Sequence, residues 1–385
     1  MIAFKELPEL ALYVHLPWCV RKCPYCDFNS HERADALPEA DYVAALLADL
    51  EASLPQVWGR PISSIFIGGG TPSLFTPRAI DSLLSGLRAR VKVLPMAEIT
   101  LEANPGTFEV ERFRGFRDAG VTRVSLGVQS FNEHHLKALG RIHDGVQARA
   151  AVAAAVELFD RVNVDLMFGL PGQDMDQLHR DLDVALAMGT THLSCYQLTL
   201  EPNTAFARRP PSGLPDDDRL ADMQAVVVER LAQQGFARYE ISAYAKPGHE
   251  CRHNLNYWTF GDYLGIGAGA HGKVSLPDQI LRTSRLRHPE QYMASIAEGR
   301  GPAQVPVPAD ALPFEFMMNG LRLVAGVPVG RWRQTTGMEL QAHPFLLERV
   351  MDAQQKGLLA RDPGVFRATE RGFELLNDLQ AIFLN

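Results

Sequence analysis

Short apolar runs alternate with amphipathic stretches over roughly the first two thirds of the chain. The first run, residues 11–16, is apolar on both faces and predicts a buried strand. Residues 38–54 follow with helical spacing: Glu39 and Asp41 fall in the first turn, and Tyr42, Leu46, Leu47 and Leu50 share one face. The alternation then repeats. Strands are predicted at 63–67, 98–103, 123–130, 162–170 and 192–200. Helices are predicted at 77–91, 110–119, 133–139, 145–159, 175–188 and 216–234. Strict strand–helix alternation implies a parallel sheet with helices outside, and right-handed crossovers taken in order curl it toward a barrel. Six such units are two short of a closed eight-stranded barrel, so the pattern predicts an open, partial (β/α)6 barrel of the α/β class.

The pattern changes after residue 240. Residues 239–242 read as one more strand, and 241–304 as a connecting segment. Residues 302–308 are rich in proline and small residues and read as a linker. Helices at 313–323 and 346–356, a hairpin over 357–361 and 365–369, and a last helix from Arg371 predict a small winged-helix-like α+β domain over 305–385. The barrel is then assigned to 1–240.

Composition narrows the function. Apolar content is 46%, charged content 22% and net charge −7, which suits a globular chain with a large core. No block of basic residues stands out, and the C-terminal part carries eight basic against nine acidic side chains from Val305 onward, so nucleic acid is not an expected partner. No run approaches a membrane span, and residues 1–8 lack a leader pattern, so a cytoplasmic protein without stable membrane insertion is expected. Only five cysteines occur, which argues against a disulfide framework.

Three of those five define the candidate chemistry. Cys19, Cys23 and Cys26 are spaced Cys-x3-Cys-x2-Cys in the loop after the first strand. Three thiols on one short loop suit an iron–sulfur cluster with one incompletely ligated iron. A zinc site would need a fourth ligand, for which His31 is within reach along the chain. The barrel pattern offers a check, because functional groups gather at the C-terminal ends of the strands. Gly68-Gly69-Gly70-Thr71-Pro72 follows strand two, Glu102 ends strand three and Gln129 strand four, and Asp165 lies within apolar strand five. A carboxylate at that last position needs a partner, and Arg141 is the candidate within the chain.

The cysteine run, with Tyr13-Val14-His15-Leu16-Pro17-Trp18 before it, resembles the radical S-adenosylmethionine (SAM) superfamily, and within it the group of the oxygen-independent coproporphyrinogen oxidases and the HemW heme chaperones. The resemblance covers nearly the whole chain. It implies that Cys19, Cys23 and Cys26 hold a [4Fe-4S] cluster whose fourth iron binds SAM. It also implies that Gly69, Gly70, Thr71, Glu102, Gln129, Arg141 and Asp165 line the SAM site, with Tyr13 and Tyr25 packed nearby. Further on, His253-Asn254-x-x-Tyr257-Trp258 resembles a motif of the HemW group, which makes His253, Tyr257 and Trp258 candidate heme contacts; His249 and Cys251 are weaker ones. The glycine-rich stretch 265–272 follows no βαβ unit and is expected to close one side of the SAM pocket rather than to bind a dinucleotide.

Two departures separate the relatives. The oxidases commonly carry a fourth cysteine two places after the third, where this chain has Phe28, and they carry a longer segment before the first cysteine. Both features resemble the HemW group. The resemblance then implies a protein that binds heme and hands it to an acceptor protein, with an electron-donor protein as a further partner. The alternative is a coproporphyrinogen III oxidase acting by radical decarboxylation.

Overall fold

The computed structural model describes residues 2–33, 35–107 and 110–384. Six parallel strands carry the predicted units: β1 (Leu10–Leu16), β2 (Ile62–Gly69), β3 (Val93–Ala103), β4 (Arg123–Gln129), β5 (Arg161–Phe168) and β6 (His192–Gln197). They pair in sequence order, each in parallel register with the next. Their inward and outward faces are both largely buried, as expected of strands covered by helices on one side and facing the barrel interior on the other.

The helices between them begin where local chemistry starts a helix. Asp144 and Asp174 each build a capping box, with Gln147 and Gln177 three residues on, at the heads of Gly145–Leu158 and Met175–Ala187. Thr76 caps Pro77–Arg90, whose Pro77 fills the first turn. One continuous core of strand residues such as Leu12, Ile65, Leu101 and Val164 packs against helix residues such as Leu46, Leu83, Phe116 and Val152.

The sheet is larger than the sequence pattern predicts. Its twelve strands run through β7 (Ala237–Arg238), β8 (Ala243–Ala245), β9 (Asp262–Ile266), β10 (His271–Leu276), β11 (Gln279–Ser284) and β12 (Ala303–Pro306), in the spatial order β12-β11-β10-β9-β1-β2-β3-β4-β5-β6-β8-β7. Strand β9 returns to lie parallel to β1, and β10 to β12 continue antiparallel from it. Residues 241–304, expected to connect, therefore extend the barrel wall. Residues 239–242 form the turn between β7 and β8 rather than a strand, and the proline-rich stretch 302–308 contains the edge strand β12. A strand with all four residues exposed carries no alternation, which is why it reads as a linker.

Buried ion pairs lock this extension to the barrel. Asp49, within the helix Glu39–Val57, accepts from Arg285 Nη2 at 3.0 Å, from Tyr292 at 2.9 Å and from the Gly267 amide at 3.2 Å. Asp262 on β9 accepts from Lys273 at 2.9 Å and Arg60 at 2.8 Å, and burial is outweighed there by those two cations, so its carboxyl is held below the usual range.

The C-terminal region has its own core of Phe316, Trp332, Leu346, Phe366, Leu379 and Phe383, onto which Ile2 and Phe4 also pack. Helices Leu312–Gly320, Val329–Thr336 and Pro344–Gln355 surround a small sheet. In it Val327–Pro328 pairs with Val365–Phe366, and Leu359 bridges Ala368. That order of helices and short strands matches the winged-helix-like expectation. Among the described residues, no helix is long and apolar enough to cross a membrane.

Candidate functional site

The parallel strands end around a cavity of about 150 Å³. Cys19, Cys23 and Cys26 line it, as do Tyr25, Gly69, Gly70, Thr71, Glu102, Gln129, Arg141 and Asp165. Eleven of the twelve residues singled out for cluster and SAM therefore share one space. Tyr13 is the exception: it lines the adjoining cavity, stacked on Phe66.

All three thiols are free. Thr71 donates to Cys19 Sγ at 3.6 Å, Arg141 Nη1 to Cys23 Sγ at 3.3 Å, and Ser30 Oγ lies 3.8 Å from Cys26 Sγ. Among the described residues no three His, Cys, Asp or Glu side chains converge as ligands of a single metal ion. His31 does not supply a fourth zinc ligand, because its ring faces the Arg287 carbonyl and His288 instead. Three thiols lining one cavity suit a cluster, in which each thiolate meets a different iron.

The glycine turn is shaped by close approach. Gly69 has φ +120°, and a Cβ there would lie 2.7 Å from the His15 ring. The Gly70 and Thr71 amides donate to Leu16 and Trp18, which fastens the cysteine loop to the end of β2. Gln129 has φ 73°, in the left-handed region that costs a side-chain-bearing residue energy, and it sits at a register shift between β4 and β5. The bend points the cavity-lining end of β4 away from regular pairing.

Two carboxylates face the cavity without a salt bridge among the described residues. Glu102 accepts from the Gly69 amide at 3.0 Å. Burial, reinforced by the neighbouring Asp165 charge, pushes it up to about 7 despite that bond. Asp165 accepts from Asn163 at 2.8 Å and Ser125 at 3.4 Å, and burial raises it too. Arg141 is not its partner: the guanidinium reaches Gly127 O at 2.6 Å as well as Cys23. Two buried carboxyls beside three soft sulfurs form a donor set that fits a cluster together with a ligand rich in amine and hydroxyl groups.

A second, wider cavity of about 870 Å³ adjoins the first and shares Phe28, Gly69 and Glu102 with it. Tyr257, Trp258 and Tyr263 give it aromatic walls. His253 does not line it. Its ring is buried, with Nδ1 3.1 Å from Ser64 Oγ and Nε2 2.9 Å from the Tyr257 hydroxyl, and burial lowers it to about 3. The structure thus uses His253 to brace Tyr257 against β2. Cys251 is also enclosed, its Sγ 3.6 Å from Glu98. The glycine-rich turn 265–272 reaches the wider cavity through Gly269 and His271, not the cysteine-lined one.

Sequence reading missed His15, Asn29 and Ser125. His15 Nε2 donates to the Asn29 carbonyl at 2.8 Å, which leaves Nδ1 to accept from Tyr13 at 2.9 Å. The available signal was the two-residue spacing of Tyr13 and His15, which puts both on one face of β1.

Residues 13–185 match the radical SAM superfamily, and residues 307–375 match the HemN C-terminal domain. Heme chaperone HemW of Escherichia coli is 48% identical, over 98% of this chain and 99% of that one. Heme chaperone HemW of Haemophilus influenzae is 46% identical over 98% and 99%, and that of Bacillus subtilis 33% identical over 97% and 98%. The solved coproporphyrinogen III oxidase (HemN) from Escherichia coli shares the fold, with TM-score 0.82 over 98% of this chain and 90% of that one, at 23% identity. With its thiol-lined barrel mouth and a 48% identical relative that it matches almost end to end, the chain belongs to the HemW family within the radical SAM superfamily.

Proposed function

We propose that this protein is a heme chaperone: it binds heme and passes it to an acceptor protein. The observation that carries the reading is 48% identity, along essentially its whole length, to a curated heme chaperone. Phe28 in place of a fourth cysteine and the His253-Asn254-x-x-Tyr257-Trp258 motif support it.

Superfamily membership implies a [4Fe-4S] cluster and SAM. Cys19, Cys23 and Cys26 would hold the cluster, with the Arg141 guanidinium donating to Cys23 Sγ. Gly69, Gly70, Thr71, Glu102, Gln129, Arg141 and Asp165 would face SAM. When bound, the cluster supplies an electron able to cleave the SAM sulfonium. The protein's own part is to orient and to shield. The glycines allow close approach, Glu102 and Asp165 accept from amine and hydroxyl donors, and Tyr25 with Thr71 helps wall off water. The cargo is heme, the acceptor and an electron donor are proteins, and the compartment is the cytoplasm.

The oxidase reading has a shared fold behind it, at an identity that speaks for fold alone. Anaerobic reconstitution with iron, sulfide, SAM and a reductant separates the two. The chaperone reading expects heme to bind and then move to an apo-hemoprotein, with coproporphyrinogen left unchanged. Conversion of coproporphyrinogen to protoporphyrinogen, or failure to take up heme, would overturn it.

A further inference from the structure

Resting on the heme-binding reading, we infer that the wider cavity is the heme seat, that His271 rather than His253 reaches the iron, and that Arg287 receives a propionate. The return of β9 beside β1 sets this up. Because β10 runs antiparallel to β9, its first residue, His271, and the last residue of β11, Ser284, pair at the end of the sheet where the parallel strands finish. His271 is exposed there and lines the cavity. Its ring nitrogens meet no hydrogen-bond partner among the described residues, in contrast to both nitrogens of His253.

The cavity's other polar groups sort themselves by prior commitments. Of the four lysine and arginine residues lining it, Lys273 is tied to Asp262, Arg285 to Asp49, and Arg282 to Glu315 and Tyr263. Arg287 is exposed and makes no ion pair among the described residues. The Trp258 ring, one of the aromatic walls, is held by Arg322, 4.3 Å from its centre. An unpaired guanidinium suits a carboxylate. Aromatic walls suit a flat apolar ring, and a free imidazole suits its metal. Neither group alone would choose heme; the combination does.

The test titrates cluster-loaded full-length protein with heme and, separately, with iron-free protoporphyrin IX. His271→Ala should shift the heme absorption bands and weaken heme about tenfold or more, while leaving iron-free protoporphyrin affinity unchanged. Arg287→Glu should weaken both porphyrins about tenfold or more, because both carry the propionates. His253→Phe should keep the wild-type heme spectrum. If wild type binds heme and His271→Ala keeps both spectrum and affinity, the ligand assignment is wrong. If Arg287→Glu leaves both porphyrins bound as tightly as before, the seat is elsewhere. If wild type binds no heme, the chaperone reading itself falls, and this assignment with it.

Discussion

The two adjoining cavities are built from the same sheet and differ in almost every property. The narrow one sits where six parallel strands end; it is lined by thiols, a bare glycine turn and two carboxyls that make no salt bridge among the described residues. The wide one is built largely by β9 to β11, which extend that sheet antiparallel, together with the helix Arg252–Trp258; its walls are aromatic and its rim cationic. The difference teaches that a barrel mouth can hold a reactive cofactor while an added strand layer furnishes a separate place for a larger, flatter ligand. Phe28, Gly69 and Glu102 border both, so the two ligands would be neighbours without sharing side-chain ligands.

The largest expected effect breaks one side only. Replacing Cys19, Cys23 or Cys26 by alanine should abolish cluster assembly, read as iron and sulfide content, while heme still binds. Loss of heme binding in all three variants would show one site where two are argued.

Next comes the fastening of the extension. Asp49→Ala leaves Arg285 buried without its counter-ion and removes acceptors for Tyr292 and Gly267. It should cost about 3–5 kcal/mol in denaturant unfolding of the cluster-free chain. Heme binding should suffer more than cluster content, because the loosened strands wall the wide cavity.

A smaller effect sharpens the narrow side. Glu102 is raised from its ordinary value to about 7. A carboxyl raised in the folded state binds more protons there than in the unfolded chain between the two values. Its contribution is therefore present at low pH and is lost as pH rises from about 4.5 through about 7. The cofactor-free wild type should lose up to about 3 kcal/mol of stability over that window from this group, and Glu102→Gln should flatten the profile. SAM affinity in the loaded protein should fall about tenfold in the same variant, read by calorimetry. The smallest expected effect concerns His253. His253→Phe removes two hydrogen bonds and should cost about 1–3 kcal/mol by leaving Ser64 and Tyr257 short of a partner.

The same contrast explains what could be read from the sequence. The narrow cavity was legible because alternating strands and helices announce a barrel, and a barrel tells where its functional residues lie. Glu102, Gln129 and Asp165 were found by their position at or near strand ends. The wide cavity was not legible. Its strand β9 pairs with β1 across some 250 residues of intervening chain, and no local period encodes a partner that distant. His271, Ser284 and Arg287 look like loop residues until β10 and β11 are paired. His253 misled in the opposite direction. Its neighbours in sequence suggested a ligand, whereas Ser64, from β2, occupies one of its nitrogens. Asp165 likewise found its partners in Asn163, two residues back on its own strand, and in Ser125 on the neighbouring strand, rather than in Arg141.

The most direct measurement is co-occupancy: anaerobic titration of heme into protein already carrying its cluster and SAM, followed by iron, sulfide and heme content after gel filtration. Two separate seats predict that heme is retained with the full complement of cluster iron and sulfide. Heme uptake only at the expense of cluster, or retention of cluster with heme excluded, would contradict it.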